Sequence, residues 1–287
     1  MDISPPYCFG VSEFTTWNWS FEQDVRNYTK LGVNAIEICE FKLDDDHFEE
    51  QVAYAKSAGL TICSIQPKLH SLYPDEPRPD PKYPAERMSL FRRSIDRFGK
   101  IAPGSTLISI TGAAPDGNYR AAFDTAVREY RALADYAADH GVRVALEPLN
   151  PILMNVDTFL CSLTEARRLV ESVDRASFGL WVDVWHIWQY CDAEEQIKAC
   201  GDRIFGVHVN DWHTPRHFGD RAIIGQGEIP LPKLLRAIHQ TGYRGAYTLE
   251  IFSVDWLPDS LWQRDGVEVI LDNKKGLDKA WEQANKD

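Results

Sequence analysis

Four ionisable residues stand at or near the ends of short apolar runs in the sequence. Glu147 ends Val-Ala-Leu-Glu, Asp183 ends Leu-Trp-Val-Asp and Glu250 ends Tyr-Thr-Leu-Glu, while His208 lies in Gly-Val-His-Val. Three carboxylates in one cavity repel each other unless a positive charge lies between them. One imidazole nitrogen and three carboxylates suit Mn²⁺ first, with Mg²⁺, Co²⁺ or Zn²⁺ as alternatives. The pattern predicts one divalent metal ion held by these four residues.

A metal of this kind predicts proton-transfer chemistry beside a carbonyl group. A cation that binds a carbonyl oxygen and the neighbouring hydroxyl stabilises the ene-diolate formed when a carboxylate removes the proton between them. Glu147 and Glu250 are the acid/base candidates, one on each side of the substrate. The predicted activity is isomerisation or epimerisation of a small sugar, keto-sugar or sugar derivative. Two alternatives stay open: a dehydratase that uses the same site, and a barrel that depends on a partner, as a subunit of a sugar lyase.

The elements that must position these residues alternate along the chain. Short β-rich runs alternate with amphipathic segments, which indicates βαβ units and a parallel sheet. The predicted strands are 8–14, 35–40, 61–66, 106–111, 143–148, 179–183, 204–210 and 246–251. The predicted helices are 21–31, 46–58, 85–101, 119–140, 163–173, 194–200 and 231–241. Eight strands predict a single (β/α)8 TIM barrel, in which residues at the carboxyl ends of the strands share one face.

One domain accounts for the whole chain, residues 1–287, because no Pro- or Ser-rich linker divides it. The aromatic-rich tail, about 253–287, is expected to pack on the barrel or on a partner. We expect a homodimer or homotetramer, and an accessory subunit remains an option.

Charge and hydropathy exclude several classes of partner. The net charge of -12 and the lack of a basic run argue against binding to nucleic acid. No stretch reaches the roughly 18 apolar residues of a membrane span. The opening Met-Asp-Ile-Ser-Pro-Pro lacks the basic and apolar regions of a secretory signal, so a cytoplasmic protein is predicted.

An ordered series of motifs resembles the xylose-isomerase-like TIM-barrel superfamily of sugar isomerases and epimerases, whose fold is similar to that of endonuclease IV. The series comprises Glu147-Pro-Leu-Asn, Asp183-Val-Trp-His, His208-Val-Asn-Asp and Gly225-Gln-Gly-Glu-Ile-Pro-Leu-Pro, followed by Gly242-Tyr-Arg-Gly. The resemblance covers essentially the whole chain. It implies a TIM barrel that acts on a carbohydrate or polyol-derived substrate.

The resemblance also assigns roles to single residues. Glu147, Asp183, His208 and Glu250 match the family's metal ligands, and His186 matches its substrate-binding histidine. Arg221 is similar to the family's oxygen-binding arginine. Further substrate contacts are predicted in the loops that follow the strands, at Asn150, Trp17 and His70.

Two departures bear on the substrate. Ketose 3-epimerases of the superfamily carry a second glutamate six residues after the ligand of the fifth strand, where this chain has Leu153. His213, His217 and Asp220 crowd one loop, but Ala222 stands where the endonucleases carry a histidine ligand. The first departure argues against a free ketohexose and the second against DNA repair. The lack of a Lys- and Arg-rich pocket favours an uncharged substrate or a keto acid.

Overall fold

Eight parallel strands close into one barrel in the computed structural model, which describes residues 7–286. The strands are β1 Cys8–Ser12, β2 Ala35–Cys39, β3 Thr61–Gln66, β4 Thr106–Ser109, β5 Arg143–Leu146, β6 Phe178–Asp183, β7 Ile204–Val209 and β8 Ala246–Leu249. The barrel closes where β8 pairs with β1, with Val11 opposite Leu249. The predicted (β/α)8 barrel is therefore confirmed.

Helices alternate with the strands along the described chain. They are α1 Phe21–Lys30, α2 Phe48–Ser57, α3 Pro84–Ile101, α4 Tyr119–Asp139, α5 Leu163–Val173, α6 Val184–Ile187, α7 Ala193–Cys200, α8 Leu231–Gln240 and α9 Gly266–Ala284. No helix within residues 7–286 is long and apolar enough to cross a bilayer. The opening residues 1–6, from which the absence of a secretory signal was predicted, lie outside the described part of the chain.

Most predicted strands run one or two residues too far at their carboxyl ends. The predicted strand 143–148 ends at Leu146, and the predicted strand 246–251 ends at Leu249. Apolar character continues past these points, as in Leu149 and Ile251, because the loops that follow are themselves buried. An apolar run therefore indicates burial, and burial extends past the last hydrogen-bonded residues of the strand.

Helices α6 and α9 are absent from the sequence-based prediction. Helix α9 lies within the segment 253–287, which the sequence analysis treated only as an aromatic-rich tail. Trp281 of α9 stacks on Tyr7 at a ring-centroid distance of 5.3 Å and meets Tyr247 edge-on at 5.0 Å. The side chain of Asn273 accepts a hydrogen bond of 2.9 Å from the backbone N–H of Ile224. These contacts hold α9 against the barrel.

A large indole fills the barrel interior beneath the carboxyl ends of the strands. Trp181 of β6 is fully buried with Ile108 and Ala145, and its ring lies 5.0 Å from that of His208 in an edge-on arrangement. Gly206 on the neighbouring strand makes room for it, since a Cβ atom there would lie 1.7 Å from the Trp181 ring. Trp181 thus forms the floor below the site described next.

Candidate metal and substrate site

His208 lies at the centre of the buried polar cluster at the carboxyl ends of the strands. It is fully buried in β7, with Asp183 opposite it on β6. Its Nε2 lies 2.9 Å from Glu37 Oε2, and its Nδ1 lies 3.1 Å from Glu250 Oε2 and 3.4 Å from Glu147 Oε1. One imidazole therefore joins carboxylates from strands β2, β5 and β8.

Glu147 directly follows β5, and its backbone N–H still donates to Ser109 of β4 at 2.9 Å. That bond fixes the direction in which its side chain leaves the strand. Burial, reinforced by Glu250 and Asp183, raises the pKa of Glu147 to about 8, although His208 opposes the shift. A carboxyl group with this pKa binds or releases a proton near neutral pH.

Asp183 is the last residue of β6 and also caps the short helix α6. Its Oδ1 accepts hydrogen bonds from the backbone N–H of Trp185 at 2.8 Å and from the Asn210 amide at 3.1 Å. Its Oδ2 is buried and has no hydrogen-bond partner. One oxygen therefore fixes the side chain, while the other is free to bind a ligand.

The pKa values of Glu250 and His208 are both raised, but for different reasons. Burial raises the pKa of Glu250, and Glu37 and Asp183 raise it further. Burial alone would lower the pKa of His208, but Glu250 and Glu37 outweigh it and raise that pKa well above its ordinary value. In the metal-free protein, His208 therefore carries the positive charge that the carboxylates require.

The residues present fit a divalent cation. Three buried atoms of the cluster have no hydrogen-bond partner of acceptable geometry: Glu147 Oε1, Asp183 Oδ2 and His208 Nδ1. Unpartnered buried polar atoms are costly, about 1–3 kcal/mol each, unless a ligand satisfies them. The candidate ligand atoms fall into two groups, one of Glu37, His208 and Glu250 and the other of Glu147, Asp183 and His186. The four predicted ligands are thus divided between two groups that adjoin at the contact between His208 and Glu147.

Glu37 is a part of the site that the sequence analysis missed. It lies within the apolar strand β2, is fully buried, and accepts a hydrogen bond of 2.6 Å from Ser64 Oγ. Burial opposes ionisation, yet His208 and the hydrogen bonds keep its pKa below the usual range. A carboxylate that binds the far nitrogen of an imidazole orients the ring and leaves the other nitrogen for a metal. Its place in the middle of Ala-Ile-Glu-Ile-Cys, where an unpaired charge is costly, was the available signal.

His186 is held in one tautomer. Its Nδ1 accepts a hydrogen bond of 2.9 Å from the backbone N–H of Asn150, so the ring proton is on Nε2, 3.5 Å from Asp183 Oδ2. Burial lowers the pKa of His186 to about 3. The ring is therefore neutral and offers an N–H group beside the cluster. The Asn150 side chain itself donates to Trp185 O and Gln189 Oε1, so Asn150 lies behind His186.

Arg221 is a buried cation with few partners. Its guanidinium group lies 3.7 Å from the centre of the Trp185 ring and donates to the Phe218 carbonyl, while its Nε has no partner. Within residues 7–286 no carboxylate lies within ion-pair distance of it. Burial lowers its pKa, against the influence of Asp183 and Glu250. An unpaired buried guanidinium group is ready to bind a substrate oxygen.

A cavity of about 540 Å³ connects these groups with the loops. Glu147, Glu250, His186, Arg221 and His70 all line it. Burial, followed by the Arg78 charge, lowers the pKa of His70 to about 3, so this ring is also neutral. Trp17 is 40% exposed and does not line the cavity. Its ring stacks on that of Phe14, which does.

The cavity lining contains two basic residues besides Arg221 that the sequence analysis did not place there. Lys68, Arg78 and Arg221 all line the cavity. Lys68 and Arg78 come from the proline-rich loop after β3, so their positions in sequence gave no sign that they meet Arg221. Both are engaged, Lys68 with Asp45 at 2.6 Å and Arg78 with Asp75. Arg221 is the basic residue of the lining that lacks such a pair.

Asp211 explains the Gly-Gln-Gly motif. Its carboxylate accepts backbone hydrogen bonds of 2.8–3.1 Å from Trp212, Gly225, Gly227 and Ile229. A Cβ atom on Gly227 would lie 2.2 Å from the Asp211 carboxylate, so only glycine fits this turn. The motif therefore shapes the loop that carries Arg221.

The histidines of the seventh loop form no second metal group among the described residues. His213 contacts Arg216, and His217 stacks on Phe218 at 4.5 Å. Asp220 pairs with Arg216 and accepts a hydrogen bond from Ser253. Each of the three side chains therefore already has a partner, and His213 and Asp220 share Arg216.

Comparison with known proteins places this site in a family. The model of the xylose isomerase-like TIM barrel family matches residues 25–273. The chain belongs to that family.

Curated relatives are enzymes that act on sugars and related compounds. The chain is 28% identical over 179 residues to L-ribulose 3-epimerase of Methylomonas sp. (strain DH-1), a match covering 61% of this chain and 59% of the epimerase. It is 24% identical over 259 residues to fructoselysine 3-epimerase of Shigella flexneri, covering 86% of this chain and 91% of that one. A 3-dehydroshikimate dehydratase of Pseudomonas putida is 31% identical over 136 residues, or 44% of this chain and 20% of its own length. These relatives support an enzyme.

Solved structures share the fold. A protein from Sinorhizobium meliloti 1021 has a TM-score of 0.83 at 25% identity, covering 95% of this chain and 98% of its own. The IolI protein with a bound zinc atom has a TM-score of 0.79 at 20% identity, covering 97% of this chain and 99% of its own.

Proposed function

We propose that this protein is a divalent-metal-dependent isomerase or epimerase that moves a proton next to the carbonyl group of a small sugar or sugar derivative. The observation that carries the proposal is the set of three buried atoms without a hydrogen-bond partner on Glu147, Asp183 and His208, with His208 Nδ1 3.4 Å from Glu147 Oε1. Oxygen-rich ligands with one imidazole favour Mn²⁺, with Mg²⁺, Co²⁺ and Zn²⁺ as alternatives.

Glu147, Asp183, Glu250 and His208, through Nδ1, would hold the cation. Glu37 then keeps the proton of His208 on Nε2, which leaves Nδ1 as a ligand. When bound, a divalent cation supplies the positive charge that offsets the carboxylates and the negative charge developing on substrate oxygens. Residues of the chain transfer the proton and orient the substrate.

Glu147 and Glu250 act as the acid and the base. Both flank His208 Nδ1, and they extend from strands β5 and β8 on different sides of the cluster. One carboxylate removes the proton from the carbon beside the carbonyl group, giving an ene-diolate. Return of a proton to the former carbonyl carbon, with transfer of the hydroxyl proton to the former carbonyl oxygen, isomerises the sugar. Return of a proton to the opposite face of the carbon that lost it epimerises the sugar.

The donors around the cavity orient the substrate. His186 offers its Nε2–H group, and Arg221 offers guanidinium N–H groups that lack a carboxylate partner. His70 adds a neutral ring from the opposite wall. These donors stabilise negative charge on oxygen without supplying a mobile proton at neutral pH.

A dehydratase is the second candidate, favoured by the dehydratase among the relatives. The same proton abstraction leads to loss of water when a hydroxyl group stands β to the carbonyl group. The substrate decides between the two outcomes, because both begin with the same carboxylate.

Deuterium exchange distinguishes the candidates. The Mn²⁺-loaded protein is incubated in D₂O with ketoses, aldoses, inososes and dehydroshikimate, and the C–H signals are followed by proton NMR. Exchange with a rearranged sugar supports the isomerase or epimerase, and a product lighter by water supports the dehydratase. Glu147→Gln and Glu250→Gln should each slow exchange at least about 100-fold. Glu195→Gln, at an exposed position of α7, is the matched control. Absence of exchange throughout the panel contradicts the proposed function.

We also propose a homodimer or homotetramer. Trp256, in the segment before α9, is 69% exposed, and exposed tryptophans are enriched at interfaces. Light scattering of wild type and Trp256→Ser tests this, since a monomeric wild type contradicts it.

A further inference from the structure

Four phenylalanines from loops that follow consecutive strands line the cavity. Phe218, Phe252, Phe14 and Phe41 follow strands β7, β8, β1 and β2, which are consecutive around the barrel. We call these four residues the aromatic arc. Ring centroids are 4.5 Å apart between Phe14 and Phe252 and 5.6 Å apart between Phe14 and Phe41.

Hydrogen bonds to backbone carbonyl groups fix the loops that carry the rings of the aromatic arc. The indole N–H of Trp262 donates to the Phe14 carbonyl at 2.9 Å and to the Ile251 carbonyl at 3.2 Å, so it joins the ends of β1 and β8. Lys42, beside Phe41, donates to the Thr16 carbonyl at 3.2 Å. Rings fixed in this way lose little entropy when a ligand packs on them.

Part of the aromatic arc has no covering. Phe41 is 37% exposed and Phe218 is 45% exposed at the mouth of the cavity. Exposed aromatic surface continuous with a cavity is typical of a ligand-binding site. The ring faces offer no hydrogen-bond donor or acceptor, so a planar apolar group gains more from packing on them than a polyhydroxylated chain, whose hydroxyl groups would lose water.

The aromatic arc begins beside the reacting groups. Phe252 is two residues after Glu250, and its ring centre lies 5.7 Å from the Arg221 guanidinium carbon. Leu149, Leu153 and Ile110 extend the apolar lining of the same cavity. The volume of about 540 Å³ falls in the range of cavities that hold drug-sized ligands.

We infer that the substrate is a sugar derivative with a planar apolar substituent, and that the aromatic arc binds this substituent while the sugar part faces Glu147 and Glu250. The inference rests on the proposed function for the position of the sugar part. A second copy of this chain is the competing occupant. It would cover the exposed edges of Phe41 and Phe218 but would not fill the interior beside Phe14 and Phe252, which share a cavity with Glu250.

Matched glycosides test the inference. Dissociation constants are measured by calorimetry for phenyl and methyl β-D-glucosides, β-D-galactosides and β-D-xylosides with the Mn²⁺-loaded protein. In at least one pair, the phenyl glycoside should bind about tenfold more tightly. The double variant Phe41→Ser/Phe218→Ser should reduce that ratio to about twofold or less. Tyr54→Ser, at a position 41% exposed on α2 and outside the cavity, should leave the ratio unchanged.

Three results would overturn the inference: equal or undetectable binding in every pair, a phenyl preference retained by the double variant, or a wild-type dimer that this variant converts to monomers. The last result would make the aromatic arc an interface between copies. A negative result in the binding test can be distinguished from a negative result in the deuterium-exchange test. A phenyl preference without deuterium exchange on any substrate contradicts the proposed reaction, whereas exchange on small ketoses without a phenyl preference contradicts only the inference.

Discussion

Glu37→Gln should weaken metal binding although Glu37 is not one of the four proposed ligands. The substitution keeps the volume of the side chain and leaves an acceptor for the Ser64 hydroxyl, which donates to Glu37 at 2.6 Å. The same Oε2 atom lies 2.9 Å from His208 Nε2, so an amide oxygen that keeps the Ser64 hydrogen bond also keeps the contact with the ring, and the substitution removes only the negative charge. A neutral amide oxygen holds the proton on Nε2 less strongly than a carboxylate and makes Nδ1, the nitrogen proposed to bind the cation, a weaker ligand.

Loss of such a partner typically reduces metal affinity about 10- to 100-fold. Because the amide oxygen keeps the hydrogen bond and only the charge is lost, we expect the lower end of that range, about 1.4 kcal/mol at 25 °C. Titration of the metal-free protein with Mn²⁺, followed by electron paramagnetic resonance of the free ion, measures the dissociation constant directly.

Glu13→Gln is the matched control for this prediction. Glu13 is also fully buried, and its Oε2 accepts from the Cys39 backbone at 2.8 Å, but it has no contact with His208 among its described bonds. Its substitution should leave Mn²⁺ affinity within about twofold of wild type. Wild-type affinity in Glu37→Gln, or an equal loss in both variants, would refute the proposed tautomer control.

Three further predictions follow from particular contacts. Asp211→Ala leaves four backbone N–H groups of the glycine turn without their acceptor and should lower the free energy of unfolding by about 3 kcal/mol in urea titrations, whereas unchanged stability would refute the anchoring role. Gly206→Ala should cost about 1–3 kcal/mol because its Cβ would overlap Trp181, and Trp181→Phe in the same chain should recover part of that loss in the same assay. Because the pKa values of Glu147 and His208 are raised in the metal-free protein, Mn²⁺ must displace protons. Its affinity should therefore fall as the pH is lowered from 8, and calorimetry in two buffers of different ionisation enthalpy should show proton release at pH 7.

The barrel and its principal site residues could be predicted because both follow from patterns local in sequence. Continuous apolar runs marked all eight strands, and an ionisable residue near the end of a run marked Glu147, Asp183, His208 and Glu250. Parallel strands around one barrel bring their carboxyl ends to one face, so the four side chains had to meet.

Features formed by residues that are far apart in sequence could not be predicted from the sequence. The position of Glu37 in an apolar strand marks it as unusual, but its role could not be assigned until His208 was seen beside it. Lys68 and Arg78 join the cavity through the path of a long loop, which periodicity does not encode. The aromatic arc forms only where four loops converge, so no pattern in the sequence links its four phenylalanines.

Anomalous diffraction from crystals of the Mn²⁺-loaded protein, at the manganese edge, tests the central claim most directly. The account predicts one peak per chain within bonding distance of Glu147, Asp183, His208 Nδ1 and Glu250, with Glu37 still on His208 Nε2. The absence of a peak at full Mn²⁺ loading, or a peak that His208 and the carboxylates do not surround, would contradict it.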